Sequence, residues 1–178
     1  MNISPKQLLS GTSVCALLLM GIALRAHSQT APEFLITWRA HSSAPDAYQG
    51  KRLPARGSAV DLALDFIDQG KLVNLGTREI RWYRGSDLFA KGVGLQRVTV
   101  TLGERETSAA PMRVVIVGYG GADLGRSFAL PVADPKLVID APFPDLRVSS
   151  GAVFLSASPY FFSALDARDL AVRWSANG

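Results

Sequence analysis

From Glu33 onward, apolar and polar side chains alternate in short runs separated by Gly, Pro, Asn, Asp and Ser. Phe34, Ile36 and Trp38 alternate within FLITWRA, and Val60, Leu62, Leu64 and Phe66 alternate with Asp61 and Asp65 in VDLALDF. A period of two puts each apolar set on one face of a sheet, so these segments predict the first two strands. Ile80 and Trp82 in EIRWYRG, and Val98, Val100 and Leu102 after Arg97, predict two more. MRVVIVG around Val114 and RSFALPV around Phe128 predict a hairpin closed through Tyr119, Gly120, Gly121 and Ala122, where glycine supplies the positive φ of a tight turn. Short strands at this spacing, with no long amphipathic helix, predict an all-β, immunoglobulin-like β-sandwich over residues 33–132. Asp134 and Pro135 punctuate the chain before a new apolar run, KLVID, which places a boundary there.

The pattern differs at the N-terminus. Lys6 is followed by an uncharged, mostly apolar run, VCALLLMGIAL from Val14 to Leu24, the length of a signal-peptide core and short for a membrane span. Ala26 and Ser28 fit the small-residue rule for cleavage, so residues 1–28 are expected to form a hydrophobic helix that acts as a signal peptide or, if uncleaved, a signal anchor. Nearly all of that apolar run follows Cys15 instead of preceding it, the wrong order for lipidation, and Cys15 is the chain's one cysteine. No disulfide framework or thiolate metal site is therefore available beyond the leader.

Composition then narrows the function classes. The 178-residue chain carries nineteen Lys and Arg against fifteen Asp and Glu. Lys6 and Arg25 fall in the leader, which leaves seventeen against fifteen, close to neutral. Those cations are scattered singly along the strands, without the clustered footprint of a nucleic-acid binder.

A repeat runs through the remainder. GSAVDLALDF from Gly57 aligns with SGAVFLSASPYFF from Ser150, and the alignment brings Trp82 and Trp174 together at 22 residues after Val60 and 21 after Val153. EIRWYRGS and DLAVRWSANG end the two stretches, each as an alternating segment with a Trp ahead of a small polar turn. Repetition at roughly 90 residues predicts tandem sandwich modules, the second over residues 134–178 and incomplete, as in a piece of a longer tandem protein. An uncovered second module would leave Trp174, Val172, Leu155 and Phe161 as an apolar patch, and one strand tryptophan alone buries about 200 Å² when covered.

Tryptophans followed by WYRGSD and WSANG look like the third strand of immunoglobulin-like and PKD-like domains. Together with YQGKRLPARGSAV, GVGLQRVTV, DPKLVID and SASPYFF, they resemble Ig-like and PKD-like repeat envelope proteins of Candidate Phyla Radiation (Parcubacteria-type) bacteria. That resemblance implies display at the cell surface and no particular chemistry. The chain departs from antibody-type domains in lacking their disulfide, and from PKD domains in lacking the Asp- and Gly-rich run after the Trp.

Candidate chemistry is sparse. Arg113 to Gly125, RVVIVGYGGADLG, imitates a dinucleotide-binding glycine loop, but the segment that should be a helix, RSFALPVADP, alternates like a strand and holds Pro131 and Pro135. His41 is the one histidine beyond the leader and sits in no nucleophile-elbow context, which points to a hydrogen-bonding role at a strand end. Asp65 and Asp68, and Asp166 and Asp169, occupy corresponding places in the two copies, yet two carboxylates fall well short of the six or more oxygens calcium takes. Tyr160, Phe161 and Phe162 read either as core beside a loop or as an aromatic binding patch. No catalytic, cofactor or metal residue is assigned. The expected function is a non-catalytic, exported cell-envelope or extracellular module with a structural-stalk or adhesion role, its partner a protein or glycan surface or further modules of a longer chain. The alternative is a carbohydrate- or protein-binding accessory module of a larger secreted assembly, and a secreted hydrolase would have to rest on His41 or a tight carboxylate pair.

Overall fold

A computed structural model describes residues 31–140, 154–164 and 166–175; the leader reading lies outside them. FLITWRA lies within β1 (Glu33–His41), and VDLALDF within β2 (Ala59–Asp68), followed by the two-residue β3 (Lys71–Leu72). EIRWYR is β4 (Glu79–Arg84), DLFAKGV is β5 (Asp87–Val93) and RVTVT is β6 (Arg97–Thr101). The predicted glycine hairpin is β7 (Ala109–Tyr119) and β8 (Ala122–Pro131), in which Gly120 and Gly121 both take positive φ, as a two-residue turn matched to strand twist requires. KLVID is β9 (Lys136–Asp140), which pairs antiparallel with β10 (Ser156–Tyr160).

Every strand pairing is antiparallel. In one sheet β2 lies between β1 on one side and β6 and β3 on the other; in a second the order is β5-β4-β7-β8. Alternation explains how the two meet. Val60, Leu62, Leu64 and Phe66 of β2 and Val100 of β6 point to one side of their sheet, and Ile80, Trp82, Met112, Val114, Ile116 and Leu130 point to one side of the other. All are buried in a single cluster, with Phe34, Ile36 and Trp38 of β1 partly buried against it. Two antiparallel sheets sharing an apolar core make a sandwich-like, all-β architecture.

The connection Gly94–Gln96 between β5 and β6 stitches both sheets. Gly94, at positive φ, donates its N–H to Arg78 O, the Trp82 indole donates to Leu95 O, and Gln96 O accepts from Leu64 N. A Cβ at Gly94 would approach Gly76 O to 3.0 Å, so glycine is required there for space as well as for φ.

The long connection between β1 and β2 is tied down by Ser58. Its buried hydroxyl accepts from Ala55 N at 2.9 Å and donates to Ala55 O at 2.7 Å, while Leu102 N donates to Ser58 O. Ser58→Ala is expected to lower stability by about 1–3 kcal/mol, because the buried Ala55 N–H loses its acceptor without gaining water. Chemical denaturation checks this: the midpoint should fall at unchanged slope, and a loss below about 0.5 kcal/mol would show that the amide has another partner.

The second copy of the repeat differs from the first at its tryptophan. Trp82 sits on β4 between β5 and β7 and has no exposed surface, whereas residues 171–175 lie in no strand and Trp174 is 52 % exposed. No described strand pairs with residues 171–175, so Trp174 lacks the two hydrogen-bonded flanking strands that enclose Trp82. Val172 and Leu155 are exposed with it, and Phe154 is 91 % exposed, but Phe161 of the expected patch is partly buried against Tyr48.

Candidate functional site

The side of the first sheet that faces away from the core is built by the same alternation. Arg39, Asp61 and Thr99 stand in one row across β1, β2 and β6, and Thr37, Ala63 and Arg97 stand in the next. Asp61 is the centre of a small network: Thr99 Oγ1 donates to its Oδ1 and His41 Nε2 donates to its Oδ2, both at 2.7 Å. The Thr99 and His41 hydrogen bonds hold the Asp61 carboxyl below its ordinary value of 3.8; desolvation opposes them, and the smaller effects of the His41 and Arg39 charges add to the lowering. Ala63, with only a methyl, leaves a shallow groove of about 370 Å³ between the Thr37 and Arg97 side chains.

A second groove, of about 320 Å³, runs along the outer edge of β1. One wall is Trp38 to His41, and the other is Lys51 and Arg52, brought back beside the strand by the connection to β2. Ser42 Oγ donates to Leu53 O at 2.7 Å and fixes that return. Lys51 Nζ lies 3.3 Å from the centre of the Trp38 ring, a cation–π contact that occupies one face of the indole. No carboxylate lines this groove, and Arg39, Lys51 and Arg52 form no salt bridge with any described residue.

The residues singled out from sequence fall into different places. His41 is at the end of β1, its Nε2 bonded to the Asp61 carboxylate that also accepts from the Thr99 hydroxyl. Asp68 accepts from the Tyr119 hydroxyl at 2.6 Å, Asp65 is exposed on the outer side of β2, and Asp166 pairs with Arg168 in the 3₁₀ turn that includes Asp169. The two acid pairs are not brought together; among the described residues no three His, Cys, Asp or Glu side chains cluster closely enough to hold a metal. Tyr160 and Phe161 pack edge-on against Tyr48, and Phe161 N and Phe162 O bond to Ser43, so this trio joins the β10 end to the β1–β2 connection. Residues 113–125 are hairpin rather than phosphate loop.

The grooved edge was the feature missed from sequence. Its signal was the doublets Trp38-Arg39 and Lys51-Arg52, which become neighbours only when a connection of more than a dozen residues turns back on the strand.

Asp61→Asn is expected to lower the denaturation midpoint at neutral pH and to make no difference in acid. A carboxyl with a depressed pKa in the folded state stabilises fully above its unfolded value, and that contribution fades as pH falls below 3.8 toward the lowered pKa. Midpoints of the two proteins measured from about pH 7 down to about pH 2.5 should therefore converge, and a gap of constant size would remove the electrostatic account.

No protein-family model, curated protein or solved structure matches the chain.

Proposed function

We propose that the chain is a non-catalytic, exported immunoglobulin-like module of the cell envelope or extracellular space, which acts by presenting its outer sheet face and strand edge to a partner. The strand arrangement supports the immunoglobulin-like reading: apart from the two-residue β3, β1-β2-β6 and β5-β4-β7-β8 give seven strands in two antiparallel sheets, the kind of arrangement found in such sandwiches. The basic, apolar and small-residue succession of residues 1–28 supports export. The observation that carries the functional reading is the contrast between a core closed between the two sheets and an outer edge whose groove is lined by Arg39, Lys51 and Arg52 and by no described carboxylate, Asp61 lying behind His41. That contrast belongs to a binding scaffold, in which the core holds the shape and the surface does the recognising.

The groove also favours the protein-binding form of the accessory-module reading over the stalk form, because a spacer has no use for a built recess. Residues 134–178 are read as belonging to a second module. On that assignment a fragment of residues 31–134 keeps every residue of the core cluster.

Export is tested by expressing the full chain with a C-terminal reporter in a bacterial host, followed by fractionation and protease treatment of intact cells. The reporter is expected outside the inner membrane and open to protease. Retention in the cytoplasm with the leader intact would overturn the localisation, and with it the envelope role.

A further inference from the structure

We propose that the outer edge of β1 binds an acidic peptide in extended conformation, added as a further strand of the first sheet. The inference deepens the protein-binding reading above and rests on it. β1 is bonded along all nine residues to β2, and no described strand lies on its other side. In an antiparallel pair every second residue turns its N–H and C=O away from the partner, so among Trp38–His41 those groups lie on the edge that the groove follows. An open edge of this kind offers main-chain hydrogen bonds, and side chains beside it decide what is accepted.

Three features select the occupant. Arg39 projects on the outer face of the sheet, while Lys51 stands over Trp38, whose ring packs toward the core. Successive side chains of an added strand point to opposite faces, so two adjacent carboxylates on the peptide would meet one cation on each face. A second copy of β1 is a poorer match, because EFLITWRAH offers one carboxylate, Glu33, and brings a further Arg39 to a groove already lined by cations. A sugar or nucleic-acid base would seek an open aromatic face, and Lys51 already stands over one face of Trp38, the one aromatic side chain that lines the groove. Backbone and carboxylates together, in an extended peptide, use everything the groove presents.

The probe is a fluorescein-labelled hexapeptide, acetyl-Thr-Val-Glu-Asp-Val-Thr-amide, titrated into the purified full chain and followed by anisotropy. Saturable binding is expected, weakened at least about tenfold by Arg39→Gln combined with Arg52→Gln, both exposed positions, and unchanged by Arg126→Gln on the far sheet. Circular dichroism of each variant confirms its fold. The same peptide with alternate backbone nitrogens methylated should also lose binding, because strand addition needs those donors. Equal binding of the methylated peptide would overturn strand addition in favour of charge alone. Stronger binding of polygalacturonate or of an oligothymidylate, lost in the same double variant, would overturn the peptide assignment in favour of a glycan or nucleic acid. Absence of saturable binding by the hexapeptide overturns the inference. These readouts use purified protein, so loss of peptide binding with export intact sinks this inference alone, and failed export sinks the envelope role alone.

Discussion

Trp82→Ala is expected to cost about 3–5 kcal/mol of folding stability, the range for removing a fully buried aromatic side chain and leaving its cavity. With the whole stability of such a domain at about 5–15 kcal/mol, that loss brings the sandwich near the point where it no longer stays folded. Trp82 has no exposed surface, and it is the largest of the fully buried side chains. It pairs with Ala90 on β5 and Val114 on β7, so its indole fills the middle of the second sheet's inner face. Its Nε1–H donates to Leu95 O at 2.9 Å, in the connection that carries the chain back to the first sheet. Removal of the ring thus opens a cavity and also frees the Gly94–Gln96 crossing. Trp82→Phe separates the two effects: most apolar surface remains, Leu95 O loses its donor, and about 1–3 kcal/mol is expected. Guanidinium denaturation followed by far-UV circular dichroism checks both. A cost under about 1 kcal/mol for the alanine variant would mean that Trp82 does not lie in the core.

The legibility of Trp82, set against Trp174, shows what sequence can and cannot convey. Both tryptophans sit in alternating runs that end in a small polar turn, and alternation alone treats them alike. What buries Trp82 is non-local. β5 and β7 flank it and β2 covers it, and none of these lies in its own segment. The strands β1, β2, β4, β6 and β8 were readable because each needs only period two and a punctuating turn, and β7 because its apolar run leads into the glycine turn of the hairpin. β5 was not read, for a visible reason: a register shift between Trp82 and Tyr83 lets Phe89 fall between the paired residues Leu88 and Ala90, which breaks the period. Edge chemistry was hidden by the same non-locality. Lys51 lies over Trp38 through the path of the intervening connection, which no local pattern encodes, whereas the His41 hydrogen bond follows from the β1–β2 register once both strands are drawn.

Phe66→Ala is expected to match the Trp82 loss, at about 3–5 kcal/mol, through a different joint of the sandwich. Phe66 has no exposed surface and meets Phe34 of β1 and Tyr119 of β7 edge-on, with ring centres 5.0 Å and 4.9 Å away. Those contacts bind the two strands of the first sheet to each other and to the second sheet. Each edge-to-face pair adds about 0.5–1.5 kcal/mol beyond the area buried, so Phe66→Leu isolates that share while most of the packing stays. The Phe66 joint also controls a polar contact above it. Tyr119 donates to Asp68 at 2.6 Å, and that hydrogen bond, with desolvation and the Asp68 charge behind it, raises the Tyr119 pKa above its ordinary 10.0. A phenol with a raised pKa in the folded state contributes its full stabilisation below 10.0 and loses it as pH rises through the raised value. In Phe66→Ala the Tyr119 ring loses the neighbour that orients it toward Asp68, and its ultraviolet titration should move back toward 10.0. An unmoved titration alongside a large stability loss would show that Asp68 alone positions the phenol, and that the aromatic stack and the hydrogen bond are independent.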